Sequence, residues 1–133
     1  MPHRKSVSAP WRRYKARYCL IGKRCKDCGA LYFPPVIYCK KCGSRNLEDY
    51  NFSGKGKIFS YTIIRTPPAG FEERNTYAIG IIQLEEGPKV LGEVIAEEKD
   101  LDIGKEVRAV FRKIFTSNSK GIIHYALKWK LEE

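Results

Sequence analysis

The sequence predicts a mainly β protein: an N-terminal helix and a rubredoxin-like zinc ribbon, followed by a five-stranded OB-fold barrel. Three observations predict it: two CxxC pairs ten residues apart, a short aromatic and basic segment before them, and five β-branched, aromatic runs after them. A length of 133 residues suits one core domain with a smaller module held together by a metal or by disulfides. The expected boundaries are 1–22 for a basic tail and helix, 23–50 for the ribbon and 51–133 for the barrel.

Residues 1–7 are basic and without period, as a mobile tail would be. From Ser8, "SAPWRRYKARYCLIG" reads as a short helix, with Ser8 as its cap, Pro10 in its first turn and Gly22 as its stop. Trp11, Tyr14 and Tyr18 fall at helical spacing on one stripe, with Arg12, Arg13, Lys15 and Arg17 on the other faces. Such a stripe reads first as core packed on the next module, and second as a partner-docking face.

Cys25, Cys28, Cys39 and Cys42 form C-x2-C-x10-C-x2-C, with Gly29 and Gly43 directly after each pair. A CxxC turn brings two thiolates onto one ion, and the glycine lets the backbone reverse so that amides can face sulfur. The segment "LYFPPVIY" between the pairs is expected to form a two-stranded ribbon turned at Pro34 and Pro35. Tetrahedral thiolate sites suit zinc or iron, and the lack of redox or flavin motifs favours zinc. With all four positions taken by thiolates the site is closed, which is the structural kind rather than the catalytic kind. Cys19, left over on the helix, reads as a small hydrophobe rather than a nucleophile.

The runs 57–66, 76–86, 89–98, 105–115 and 122–131 read as strands. "GP" before Lys89 makes a tight hairpin, "KDLDIG" allows one helical turn and "TSNSKG" reads as a hairpin loop. In the last run Ile123, Tyr125, Leu127, Trp129 and Leu131 alternate against His124, Lys128 and Lys130, and Val107, Ala109, Phe111 and Phe115 form the matching inward face. Five antiparallel strands with a break after the third point to a closed barrel of the OB type.

Charge is uneven. Residues 1–57 hold 14 Lys/Arg against 3 Asp/Glu, whereas 58–133 hold 11 against 12. A cationic front attracts phosphates, of nucleic acid or of a nucleotide-bearing cofactor, although a charge-rich chain with one glutamine also suits heat-adapted surfaces. No apolar run approaches the roughly 20 residues of a bilayer span. No secretory h-region follows "MPHRKS", so the expected location is cytoplasmic, where paired cysteines bind metal more often than they form disulfides.

The only histidines are His3 and His124, and "GKGK" at 54–57 is too short for a phosphate loop and enters a strand. No triad or His-based metal site can be assembled, so no catalytic residue is assigned. A nucleic-acid-binding role is the alternative. It is disfavoured because the second and third barrel strands offer Tyr77 as their one aromatic, among Glu85, Glu86, Glu93, Glu97 and Glu98.

The helix, "CKDCGALYFPPVIYCKKCGS", the barrel entry "GKGKIFSYTII", the loop with "PPAGF", "YAIGIIQLEEG" and "IGKEVRAVF" together resemble the zinc-ribbon and OB-fold family known as domain of unknown function thirty-five. The more specific parts are FPP between the knuckles and G-x-G-x-[IV]-x-S-[YF]-T, here Gly54, Gly56, Ile58, Ser60, Tyr61 and Thr62. The resemblance covers the chain from about Trp11 and implies an accessory role in acyl-CoA metabolism. The short archaeal members resemble the third component of an acetoacetyl-CoA thiolase and HMG-CoA synthase complex, in the mevalonate pathway to isoprenoids. Taken with the closed metal site and the cationic front, the resemblance leads to the expectation of a non-catalytic scaffold whose helix and ribbon dock on a thiolase-type enzyme, alongside the synthase, and help to bind coenzyme A. On charge and position, Arg12, Lys15, Arg45 and Lys57 are candidate contacts for coenzyme A phosphates. Trp11, Tyr14, Tyr18 and Phe33 are candidate docking anchors.

Overall fold

The computed structural model describes residues 8–66, 76–116 and 123–132. The tail, the "PPAGF" loop, nearly all of the "TSNSKG" loop and the side chains of Phe115, Ile123 and His124 lie outside this description. The chain divides into two compact units, Met1–Asn51 and Phe52–Glu133.

In the first unit, helix α1 (Ser8–Cys19) runs into a three-stranded antiparallel sheet of order β2-β1-β3, with β1 at Ile21–Cys25, β2 at Leu31–Tyr32 and β3 at Leu47–Asn51. The helix does not continue to Gly22. It stops at Cys19, and Leu20 takes a left-handed φ of 54° with its side chain buried, so helix becomes strand across one residue. Pairing decides this: all five residues of β1 are in register with β3, from Ile21 opposite Asn51 to Cys25 opposite Leu47. That ladder outweighs one more helical turn.

The ribbon also departs from expectation. "LYFPPVIY" contributes only Leu31 and Tyr32 to a strand, paired with Arg24 and Lys23 of β1, rather than folding on itself. Pro34 and Pro35 have no N–H to donate, so the segment cannot sustain a ladder beyond Tyr32.

The second unit is a closed barrel of order β4-β5-β6-β8-β7, built from β4 (Lys55–Ile64), β5 (Tyr77–Leu84), β6 (Lys89–Ile95), β7 (Glu106–Thr116) and β8 (Ile123–Leu131). A single 3-10 turn, Glu98–Asp100, sits between β6 and β7. The strands are not all antiparallel, because β6 and β8 run parallel, with Val94 opposite Trp129. Ile58, Ile82, Leu84, Val107 and Trp129 are fully or almost fully buried, each contributing about 1.5–3 kcal/mol by leaving water.

The first three positions of the barrel-entry motif, Gly54, Gly56 and Ile58, each make a defined backbone contact. Gly56 lies so close to β5 that a Cβ would meet the Gln83 carbonyl at 2.5 Å. The Gly54 carbonyl accepts from the Ala109 amide at 2.7 Å, and Ile58 exchanges backbone bonds with Lys105 and Gly104 at 2.9 and 2.8 Å. A bulge between Ile58 and Ser60 then bends β4 and leaves Phe59 outside, with Lys89 Nζ 3.7 Å from its ring centre.

Two residues expected inside are not. Phe111 and Tyr125 are 47% and 40% exposed and stack on each other at 5.1 Å. The β7 pairing with β4 covers only Glu106–Arg108, and the β8 pairing with β6 covers only Trp129 and Lys130. Beyond those positions β7 and β8 pair only with each other, from Phe111 opposite Leu127 onward, so the closed ring does not extend over these two side chains.

Candidate metal centre and docking surface

Two near-identical backbone knuckles build the centre. In the first, the Cys25 amide donates to the Ala30 carbonyl at 2.8 Å and the Gly29 amide to the Cys25 carbonyl at 3.0 Å. In the second, the Cys39 amide donates to Ser44 at 2.7 Å and the Gly43 amide to Cys39 at 2.9 Å. Gly29 and Gly43 both turn left-handed, at φ 74° and 75°, where a side chain would be strained. The knuckles are tied together by the Lys26 amide on the Asn46 carbonyl at 3.0 Å and by the Ser44 hydroxyl on the Asp27 carboxylate.

The first cysteine of each knuckle, Cys25 and Cys39, is buried, while Cys28 and Cys42 are exposed. All four Sγ atoms lie within 4.8 Å of one another, with Cys28 to Cys39 at 3.4 Å and Cys25 to Cys42 at 3.6 Å. A tetrahedron with Zn–S bonds of about 2.3 Å has edges of about 3.8 Å, so the donor set fits such an ion in size and softness. Sulfurs at these distances are too far apart for disulfides.

Electrostatics point the same way. The Tyr32 hydroxyl, followed by the Cys42 and Lys41 amides, brings the Cys39 thiol down to about 6 against the effect of burial. At Cys42 the Ser44 amide acts to lower the value, but the Cys39 sulfur, burial and the Cys25 and Cys28 sulfurs together push it up to about 12. At Cys28 the Ala30 amide likewise opposes a rise driven by Cys39 and burial. Crowded thiols resist ionising together, and a divalent cation removes that conflict.

Of the candidate anchors, Trp11 is 72% exposed and Tyr14 and Tyr18 are 38% exposed each. Their rings form a row, 5.4 Å from Trp11 to Tyr14 and 6.5 Å from Tyr14 to Tyr18. The core reading of this stripe is therefore corrected, since the residue that buries itself at this end of the helix is Leu20. Phe33 is half-buried in the loop after β2. Arg12, Lys15 and Arg45 are exposed in the first unit. Lys15 also helps Lys23, which bonds Asp49 at 2.5 Å, to hold the Asp49 carboxyl below its ordinary value. Lys57 belongs to the second unit, 4.0 Å from Glu106.

Other exposed apolar residues carried no sequence signal that separated them from core. Ile37 and Tyr38, before the second knuckle, are 84% and 56% exposed, and Leu91 on the barrel's outer wall is 74% exposed. All three sit in segments read as strands, where apolar character signals burial by default. Among the described residues no helix is long and apolar enough to cross a membrane.

Residues 13–48 match the family model described as "ChsH2, rubredoxin-like zinc ribbon domain", and residues 50–112 match "ChsH2, C-terminal OB-fold domain". Ribbon and barrel thus define the class: a zinc-ribbon and OB-fold protein. A "DUF35 domain-containing scaffold protein" of Methanocaldococcus jannaschii is 43% identical over 128 residues, 95% of this chain and 91% of that one, and the chain belongs to the DUF35 family. The "Benzoylsuccinyl-CoA thiolase subunit BbsA" of Thauera aromatica is 32% identical over 75 residues, 56% of this chain and 51% of that subunit. The solved structure "Ltp2-ChsH2(DUF35) aldolase" shares the fold, with a TM-score of 0.71, 20% identity and 98% of both chains covered.

Proposed function

We propose that the protein is a non-catalytic accessory subunit of an acyl-CoA enzyme assembly, with a structural zinc ion on Cys25, Cys28, Cys39 and Cys42. One observation carries the reading: a closed thiolate centre stands in the same unit as a helix whose aromatic row is exposed. Closed thiolate sites hold a fold together rather than turn over substrate. Exposed aromatics flanked by Arg12, Arg13, Lys15 and Arg17 have the composition of an interface anchor. The scaffold and thiolase-subunit names of the relatives support the same reading.

In this proposal the helix and ribbon dock on a thiolase-type enzyme through Trp11, Tyr14, Tyr18 and Phe33. Arg12, Lys15 and Arg45 of the first unit face the pyrophosphate and 3′-phosphate of coenzyme A, Lys57 of the second unit is a separate candidate phosphate contact, and HMG-CoA synthase completes a mevalonate-pathway complex. Co-expression with the thiolase and synthase of the same genome, followed by size-exclusion chromatography, tests the assembly. Co-elution of all three supports the full reading. Co-elution with the thiolase alone keeps the coarser one, and a chain that elutes alone and ignores coenzyme A in calorimetry overturns it.

The second reading, nucleic acid, has less support. The outer wall of β5 and β6 presents Ile81, Leu91 and Ile95, and its Glu93 is engaged by Lys128. That is a poor surface for stacking bases or neutralising phosphates.

A further inference from the structure

We propose that Tyr32 is an outer-sphere hydrogen-bond donor to the metal-bound Cys39 thiolate and that, through it, metal occupancy positions the exposed loop between Tyr32 and the second knuckle. The inference rests on the four cysteines being a metal site. Tyr32 ends β2, where pairing with Lys23 fixes its backbone. Its hydroxyl oxygen lies 3.2 Å from Cys39 Sγ and accepts the Lys40 amide at 3.1 Å. An amide N–H can only donate, so it takes an oxygen lone pair and leaves the hydroxyl proton for the sulfur. A thiolate on a metal has no proton to give, so the direction of the bond is set: Tyr32 donates and Cys39 accepts. The Cys42 amide, 3.5 Å from the same sulfur, is a second donor.

Two consequences follow from the chemistry. Four thiolates around a divalent ion carry a net charge of −2, and a hydroxyl donor draws density from Cys39 and lowers the cost of holding that charge. The same oxygen ties the last residue of β2 to both the sulfur of Cys39 and the backbone of Lys40, and so closes the loop 32–40 on itself. Within that loop stand Ile37 and Tyr38, 84% and 56% exposed. A phenyl ring at position 32 retains the bulk of the side chain but can make neither bond.

The test is Tyr32→Phe in the full chain, with Tyr38→Phe as control. Zinc affinity is read by competition with a chromophoric chelator, and the sulfur-to-metal charge-transfer band after cobalt(II) substitution. Loss of the donor is expected to weaken zinc binding about 10- to 100-fold and to shift the cobalt band to lower energy, with faster amide exchange over residues 33–38. The control should match the unmodified chain. Replacing Tyr32 with 3,5-difluorotyrosine, a stronger donor of the same shape, should move the band the opposite way and keeps the test valid if the Phe variant fails to fold. Unchanged affinity and an unmoved band in the variants overturn the proposal. If the unmodified chain binds neither zinc nor cobalt, the metal reading itself fails and this inference fails with it.

Discussion

Gly92 of β6 lies directly against the indole of Trp129 on β8: a Cβ on the glycine would stand 2.6 Å from both Cδ1 and Nε1 of the ring. Trp129 is 2% exposed and sits beside the parallel pairing of β6 with β8 that completes the barrel. Gly92→Ala forces the ring or the strand to move, and is expected to destabilise the barrel by about 1–3 kcal/mol in urea unfolding. The methyl group would otherwise be neutral or mildly favourable in a strand, so an unchanged midpoint would contradict the packing described.

On the barrel wall, Lys128 Nζ lies 3.2 Å from Glu93 Oε2, with the lysine side chain 10% and the glutamate 23% exposed. Glu93→Ala leaves an ammonium group largely out of water without this partner, and a loss of about 2–4 kcal/mol is expected. Replacing both by apolar residues, Glu93→Met with Lys128→Leu, should recover most of it, because the pair itself contributes little once its desolvation is counted. Urea unfolding of the single and double variants gives the comparison.

Leu20 predicts an unusual ranking. Its left-handed φ of 54° costs about 1 kcal/mol for any residue with a Cβ, while its burial offsets that cost. Leu20→Ala loses the burial and keeps the strain, whereas Leu20→Gly loses both. The glycine variant should therefore be more stable than the alanine variant by about 1 kcal/mol in thermal or urea unfolding. The opposite order would show that the backbone there is relaxed.

Metal affinity should rise with pH, because protons and the ion compete for sulfur. The Cys39 thiol, lowered to about 6, is already ionised at neutral pH, whereas Cys42, raised to about 12, must surrender its proton. Stability linked to the Cys39 thiolate is complete above its ordinary value of 9.0 and is lost as pH falls through 6. Zinc binding at about pH 7.5 should release fewer than four protons per ion, measured by calorimetry in buffers of different ionisation enthalpy.

The aromatic row of α1 separates stability from association. Trp11→Ala and Tyr14→Ala remove exposed rings and should change the stability of the free chain by no more than about 0.5 kcal/mol. If the row anchors a thiolase-type partner, the same substitutions should weaken co-elution with it, with about 2 kcal/mol or more lost at the strongest anchor. A row that mattered only for folding would give the reverse pattern.

The metal centre was legible in sequence because its chemistry is local: two CxxC turns, each with a glycine free to turn left-handed, specify a knuckle whatever surrounds them. The five barrel strands were legible for the same reason, since alternation and turn residues act within a few positions. What the chain could not reveal by itself was pairing between distant segments. Register with Leu47–Asn51 made Ile21–Cys25 a strand and stopped the helix at Cys19. The β6–β8 contact is parallel because the chain returns to that side of the sheet, a matter of topology rather than pattern. Burial was decided the same way, as Phe111 and Trp11 are as apolar as any core residue and are exposed because no element of the described structure closes over them. Local stereochemistry acts along the sequence, whereas burial is a property of what folds back against it.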